Sequence, residues 1–332
     1  MVHYFSQRLC KGDKIHNVEK INPSDDSFHG SKRQIAAEWW YFDAMFSDDI
    51  SIHVGCRTFS IRRLGMVRPF LEFYKDGKLI KEKKQRFLFR NFKTSKDYPL
   101  VHIFKKPIIK FDYNLFKKEG KWKYDINLKI DDCYANLEFI GINEGFKIET
   151  DRESWTVALP KAKVTGEIKF NGKKRNVEGI GYHDHNWNYT FLTALTYGKC
   201  WYWGKIRSKN YNIVWANVIK KDNKWDILAV VNKEKEGFFN IKPEKIFFKP
   251  DDFIIDHKKK TPTSFIIKIN DVVQNISIKA EIEMKENDLH YSTVLGSPYW
   301  RYHVKTKGYI SIDGEEEKID DIQIMEFLSF SK

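Results

Sequence analysis

The stretch that decides the fold is Val164-Thr165-Gly166-Glu167-Ile168-Lys169-Phe170-Asn171-Gly172, followed after four polar residues by Val177-Glu178-Gly179-Ile180-Gly181-Tyr182. Asn-Gly supplies the two positive φ values that a two-residue hairpin loop needs, so residues 164–170 and 177–182 are predicted to pair as antiparallel strands. The same pattern spreads outward. Residues 36–46, 50–61 and 67–74 are rich in aromatic and β-branched side chains, and Asp76-Gly77 predicts a second tight hairpin into 79–89. Residues 108–116 and 122–130 flank a turn expected at Glu119-Gly120-Lys121. A meander follows over 201–207, 212–219 and 225–231. Further runs stand at 265–269, 273–282 and 299–305, and Asp313-Gly314 precedes 319–328. No long segment repeats apolar residues at i, i+3 and i+4, the mark of a packed helix. The expectation is an all-β chain of two antiparallel barrels, each of about eight strands or more. The division is expected as 1–190 and 191–332, with a compact switch near Thr190 to Gly198.

Composition narrows the function classes. Among the 332 residues are 10 Trp, 16 Tyr and 25 Phe, an aromatic share of 15% that favours pleated, half-buried surfaces and apolar pockets. No run of about 18 apolar residues offers a spanning helix, and Met1 to Lys20 carries no apolar core of a signal peptide, so a cytoplasmic protein is expected. Cys10, Cys56, Cys133 and Cys200 stand far apart and form no paired spacing of a zinc ribbon or disulfide framework. The formal charge is +13, from 58 Lys+Arg against 45 Asp+Glu. The lysines are dispersed over the hairpins and arginine is scarce, which argues for solubility and against nucleic acid as partner. The densest runs, Lys81 to Lys84 and Lys258 to Lys260, read as solvated turns. Peripheral contact with an anionic membrane is compatible with this charge.

Three segments depart from plain strand composition. In Glu38-Trp39-Trp40-Tyr41-Phe42, Glu38 shares a strand face with Trp40 and Phe42. A carboxylate among apolar neighbours must be paired, hydrogen-bonded or protonated. A backbone donor or an arginine such as Arg57 would make it structural, and a ligand would make it a site residue. In Gly181-Tyr182-His183-Asp184-His185-Asn186-Trp187, Tyr182, Asp184 and Asn186 face one way and His183, His185 and Trp187 the other. A Tyr and a carboxylate two apart on one face can work as a proton donor, because an apolar setting raises the acid's pKa. The alternative is a polar belt that fixes geometry. His183 and His185 are two imidazoles on one face, with His29, His290 or His303 as conceivable third ligands; no ligand motif accompanies them, so no metal is expected. In the third segment Arg301 and Glu326 are expected to pair across adjacent strands as an inward ion pair closing the second barrel. Gly179-Ile180-Gly181 sits in a strand pattern with no helix after it, which excludes a dinucleotide fingerprint, and no cofactor is called for.

These residues carry a resemblance. Glu38-Trp39-Trp40-Tyr41, Trp155, the run Gly181 to Trp187, Trp201-Tyr202-Trp203 and Met325-Glu326-Phe327 together resemble the AttH-like, lipocalin-like superfamily that includes hydroxyneurosporene synthase, a carotenoid hydratase. Asn188 follows Trp187 where the family signature commonly has glycine. The resemblance implies a tandem of lipocalin-like barrels that binds a bulky apolar, isoprenoid- or lipid-like ligand in a barrel cavity. It implies acid-catalysed alkene hydration, or related isomerisation or cyclisation. Carried over, the acid falls on Asp184 with Tyr182 and Trp155 beside it, and Trp187, Trp40, His185 and Glu38 complete the ligand site. Such chemistry needs a protonated carboxylic acid and aromatic faces to stabilise the carbocation. The rival reading is a non-catalytic lipid carrier.

Overall fold

The computed structural model describes residues 16–32, 34–149, 153–190, 193, 198–234, 236–294 and 296–330. Asn171 and Gly172 adopt φ of 48° and 75°, and the hairpin they join runs well past the expected strands, as Ser154–Phe170 against Lys173–Thr190. Its pairing slips twice, between Thr156 and Leu159 and between Leu159 and Ala162, around Pro160, which has no amide hydrogen to give the ladder. Asp76-Gly77 turns Leu64–Lys75 into Lys78–Lys84, and Asp313-Gly314 turns Ser297–Ile312 into Glu315–Ser329. The expected switch near Thr190 to Gly198 lies mostly outside the described residues.

The strands form two curled antiparallel sheets, and the fold is all-β and lipocalin-like. In the first, the main order is Lys78–Lys84, Leu64–Lys75, Ile50–Ile61, Ala36–Phe46, Lys173–Thr190, Ser154–Phe170, Cys133–Gly141, Lys123–Ile130, Lys106–Phe111, Leu100–Ile103, Phe92–Thr94. In the second it is Gly237–Asn240, Trp225–Lys233, Tyr211–Ile219, Cys200–Arg207, Glu315–Ser329, Ser297–Ile312, Ile276–Val294, Lys259–Val273, Ile246–Asp256. Both follow one rule: a meander of four strands leaves one side of the opening strand, and the last long strand returns to its other side. Residues 17–196 and 232–237 form one compact unit; 197–231 and 238–332, with His16, form the other.

Each unit has its own apolar core. Trp40, Phe42, Val54, Leu71, Tyr124 and Phe139 are fully buried in the first; Trp215, Phe265, Trp300 and Tyr302 are in the second. Large aromatics each remove some 150–250 Å² from water, which is why so aromatic a chain can build two cores.

One expected strand is cut short. Residues 108–116 break at Asp112, and Tyr113–Glu119 is a short α-helix. Asp112 caps it by accepting from the Leu115 amide at 3.0 Å, and Gly120, at φ 68°, ends it in the left-handed conformation that favours glycine. The expected hairpin turn at Glu119-Gly120-Lys121 is therefore a helix C-cap. The run Lys81 to Lys84 is likewise no turn; it lies within strand Lys78–Lys84, where Lys83 meets Asp131 at 2.8 Å.

Candidate functional site

The two motifs, with Glu38 and His185 147 residues apart in sequence, are neighbours in the sheet. In register, His183 faces Phe42, Asp184 faces Tyr41, His185 faces Trp40 and Asn186 faces Trp39. The pairing slips after Asn186, and Asn188 there takes φ 62°. This is the position where the family commonly has glycine, and asparagine is the residue that best tolerates the left-handed region in its place.

Strand alternation splits this seam into two sites. On the face turned away from the core, Asp184 is 5% exposed and Tyr182 fully buried. The Asp184 Oδ2 accepts from the Tyr182 hydroxyl at 2.8 Å and from the Trp155 indole at 2.8 Å, while Asn186 Nδ2 approaches Oδ1 at 3.3 Å. An indole can only donate, so Oδ2 is committed as an acceptor. Donors favour the carboxylate and burial favours the acid.

This arrangement is repeated. Tyr41 donates to Asp43 at 2.9 Å, and Tyr74 to Glu72 at 2.8 Å. In all three cases a Tyr and an acid stand two residues apart on one strand, sharing a face. Cross-strand register puts Tyr182, Asp43, His53 and Glu72 in one row, and Asp184, Tyr41, Gly55 and Phe70 in the next. His53 Nδ1 lies 2.8 Å from Glu72 Oε2, and its ring packs at 4.5 Å on both Tyr41 and Phe70. Asp43, His53 and Glu72 are all more than nine-tenths buried. Sequence reasoning passed over Tyr41, Asp43, His53, Glu72 and Tyr74 as members of a site. The face that Trp39 and Tyr41 share continues to Asp43. The signal was available, because Tyr-x-Asp at 41–43 and Glu-x-Tyr at 72–74 repeat the spacing of Tyr182 and Asp184.

The core-facing side holds a different network. His183 stacks on Phe42 at 3.7 Å; its Nε2 lies 2.9 Å from Asp26 Oδ2 and its Nδ1 2.8 Å from the Tyr41 carbonyl. Tyr124 donates to the same Asp26 oxygen at 2.6 Å. His185 stacks on Trp40 at 4.5 Å, with Nε2 2.9 Å from Glu38 Oε1 and Nδ1 3.3 Å from Asp26 Oδ1. Burial alone would push His185 down, but hydrogen bonding and attraction to Asp26 and Glu38 prevail and raise its pKa to about 9. Burial works against ionisation of Asp26 too, and there the two imidazoles prevail, holding it well below the usual carboxylate range. Glu38, 3% exposed, also accepts from the backbone amides of His29 and Gly30, each at 2.8 Å. Arg57 is no partner: it lies opposite Trp39, on the other face, with its guanidinium 5.1 Å from the centre of the Phe70 ring.

The seven residues singled out from sequence thus fall into two groups. Asp184, Tyr182 and Trp155 come together on the outer face. Glu38, Trp40, His185 and Trp187 lie on the core side, where Trp187 stacks on His29 at 3.7 Å. Trp187 is therefore no wall for Asp184. In the second unit Arg301 does pair with Glu326, at 2.8 Å, but on the face opposite Trp300 and Tyr302, so the pair does not point into that barrel's core.

The AttH-like family model matches residues 101–315. Among curated relatives, the quinolone epoxide rearrangement protein penF of Penicillium thymicola is 34% identical over 67 residues, which is 20% of this chain and 18% of that protein. Its counterpart asqO of Emericella nidulans is 35% identical over 65 residues, 20% of this chain and 17% of that protein. The chain thus matches less than a fifth of the length of either relative. Among solved structures, the AttH protein NE1406 of Nitrosomonas europaea superposes with a TM-score of 0.64 at 12% identity, covering 95% of this chain and 98% of that one. CghA with Sch210972 gives 0.62 at 10% identity, over 96% and 100%. Kievitone hydratase of Nectria haematococca gives 0.55 at 11%, over 93% of each. These structures share the fold. With the family match spanning well over half of the sequence and the Glu38 and Asp184 segments meeting at the seam, the chain belongs to the AttH-like family.

Proposed function

We propose that this protein is an enzyme that binds a bulky apolar ligand of isoprenoid or related type and moves protons on it at Asp184, hydrating an alkene or driving a related isomerisation or cyclisation without a redox cofactor. The observation that carries the reading is the clustering of three Tyr–carboxylate pairs, His53 and the Trp155 indole on one buried sheet face. Buried acids that accept from tyrosine hydroxyls are held in place for general acid–base work. Asp184 Oδ1 delivers or takes the proton, Tyr182 and Trp155 hold Oδ2 in place, and the aromatic faces stabilise positive charge that develops in the ligand. The site belongs to the outer sheet face, because the core side behind it is filled by Trp40 and Phe42. The names of the relatives support this class of chemistry, since hydration and epoxide rearrangement both turn on proton transfer to a small organic molecule.

The hydrogen bonds that Asp184 accepts from Tyr182, Trp155 and Asn186 also favour a second reading, a carrier whose polar face only positions the ligand. Mass spectrometry of the small molecule that copurifies with the protein, followed by turnover assays on it and on a panel of polyenes, separates the two. Conversion lost in Asp184→Asn supports the enzyme. Tight binding without conversion by the unaltered protein supports the carrier.

A further inference from the structure

We propose that His29, Glu38 and His185 form a binding site for one divalent transition ion on the core side of the first sheet. Among the described residues these three can each present a ligand atom within 4.8 Å of the others. The expectation of no metal took His183 and His185 as the pair, named His29 only as one conceivable third ligand, and rested on the lack of a ligand motif beside them. The fold changes both halves of that premise. It removes His183, whose two ring nitrogens are taken by Asp26 and the Tyr41 carbonyl. It brings in His29 and Glu38, from the segment before and the start of the neighbouring strand.

The geometry suits an ion. Glu38 Oε1 lies 2.9 Å from His185 Nε2 and 3.7 Å from His29 Nδ1. Ligands about 2.1 Å from a shared ion at right angles stand about 3 Å apart, and wider angles separate them further. Two imidazoles and one carboxylate are a borderline donor set that suits Fe²⁺, Co²⁺ or Zn²⁺ more than Mg²⁺ or Ca²⁺. His29 Nδ1 is a buried atom without a hydrogen-bond partner, and such a group calls for an ion or a water. Asp26 Oδ1, 3.3 Å from His185 Nδ1, stands where a metal-bound imidazole usually finds the carboxylate that orients it. Trp40 on His185 and Trp187 on His29 hold both rings by stacking. His29 is 24% exposed, which gives the ion a path in. The ion would tie the segment carrying Asp26 and His29 to both strands of the seam. This site goes beyond the proton-transfer reading and does not depend on it, because Asp184 points to the opposite face.

The test is Co²⁺ titration of untagged, chelator-dialysed protein, read by visible d–d absorption and by metal retained after gel filtration. The expected result is one equivalent of Co²⁺ with nitrogen-ligand bands, displaced by Zn²⁺. His29→Ala, a substitution at a partly exposed position, should weaken binding by roughly 100-fold or more, and His29→Cys should restore it with a thiolate band. Asp26→Asn should weaken it by about 10–100-fold through loss of the orienting carboxylate. Failure of the unaltered protein to retain Co²⁺, or equal retention by a folded His29→Ala protein, would overturn the site. Neither result bears on Asp184.

Discussion

In the first sheet the long strand Lys173–Thr190 returns to lie on the opening strand Ala36–Phe46; in the second, Glu315–Ser329 returns to lie on Cys200–Arg207. Topology and strand alternation are the same at both seams, but their polar groups are arranged in opposite ways. The first seam carries polar groups on both faces: Glu38, His183 and His185 inward, Tyr182 and Asp184 outward. The second keeps Tyr202, Phe327, Trp300 and Tyr302 inward and turns Arg301, Glu326, His303 and Lys205 outward. One buried histidine beside each seam registers the difference. His185, between two acids, is raised to about 9. His303 is pushed down to about 3, first by burial and then by Arg301, Lys205 and His290. One fold rule thus supplies two frames, and the side chains at alternate positions decide which sign of charge each frame favours.

Five substitutions test this contrast. The largest effect is expected at the first seam's outer face. Asp184→Asn keeps an oxygen for Trp155 and Tyr182 and removes the transferable proton, so turnover should fall by about 10²–10⁴-fold with melting temperature nearly unchanged. Steady-state rates on an identified substrate check it, and full activity would end the assignment. Next comes the second seam. Glu326→Ala leaves the fully buried Arg301 guanidinium without its carboxylate and should cost about 3 kcal/mol in chemical denaturation. A loss below about 1 kcal/mol would mean that the Tyr299 hydroxyl, 3.1 Å from Nη2, and the rest of that pocket suffice. Glu38→Ala strands His185 and two backbone donors and is expected to destabilise by roughly 1–3 kcal/mol. An unchanged melting curve with lost ligand binding would show that Glu38 serves the ligand instead.

The fourth test concerns pH. His303 is neutral when folded and takes a proton on unfolding below its ordinary value near 6.5. The unfolded state then binds more protons, so the stability this residue contributes falls as pH drops from about 6.5 toward 3, by at most about 1.4 kcal/mol per unit. Denaturation midpoints of His303→Gln against the unaltered protein at pH 7 and pH 5 should converge as pH falls; parallel curves would contradict the burial argument. The smallest effect is expected for Tyr182→Phe, which removes one of the hydroxyls on Asp184 but leaves the acid. A rate loss of about tenfold, roughly one hydrogen bond, is expected from the same assays. A loss equal to that of Asp184→Asn would make Tyr182 a full partner in proton transfer.

Sequence by itself determined the all-β class and the positions of the tightest turns. Asn171-Gly172, Asp76-Gly77 and Asp313-Gly314 are local chemistry, legible without neighbours, and the period of two separates the Tyr182–Asp184 face from the His183–His185 face wherever the strand goes. The helix at 113–119 escaped because a seven-residue element holds too little periodicity to outweigh the strand-like residues before it, although its Asp112 and Gly120 caps were present to be read. Tertiary structure alone decided what each face meets. Glu38 chose His185 and two backbone amides over Arg57 because register puts Arg57 across from Trp39. Asp26, at the end of a 3-10 turn, and His29, just after it, became partners of a strand some 150 residues away. The reason is physical: hydrogen bonds and ion pairs depend on separations of about 3 Å, and such separations between distant segments follow from sheet register and chain return, which no local pattern encodes.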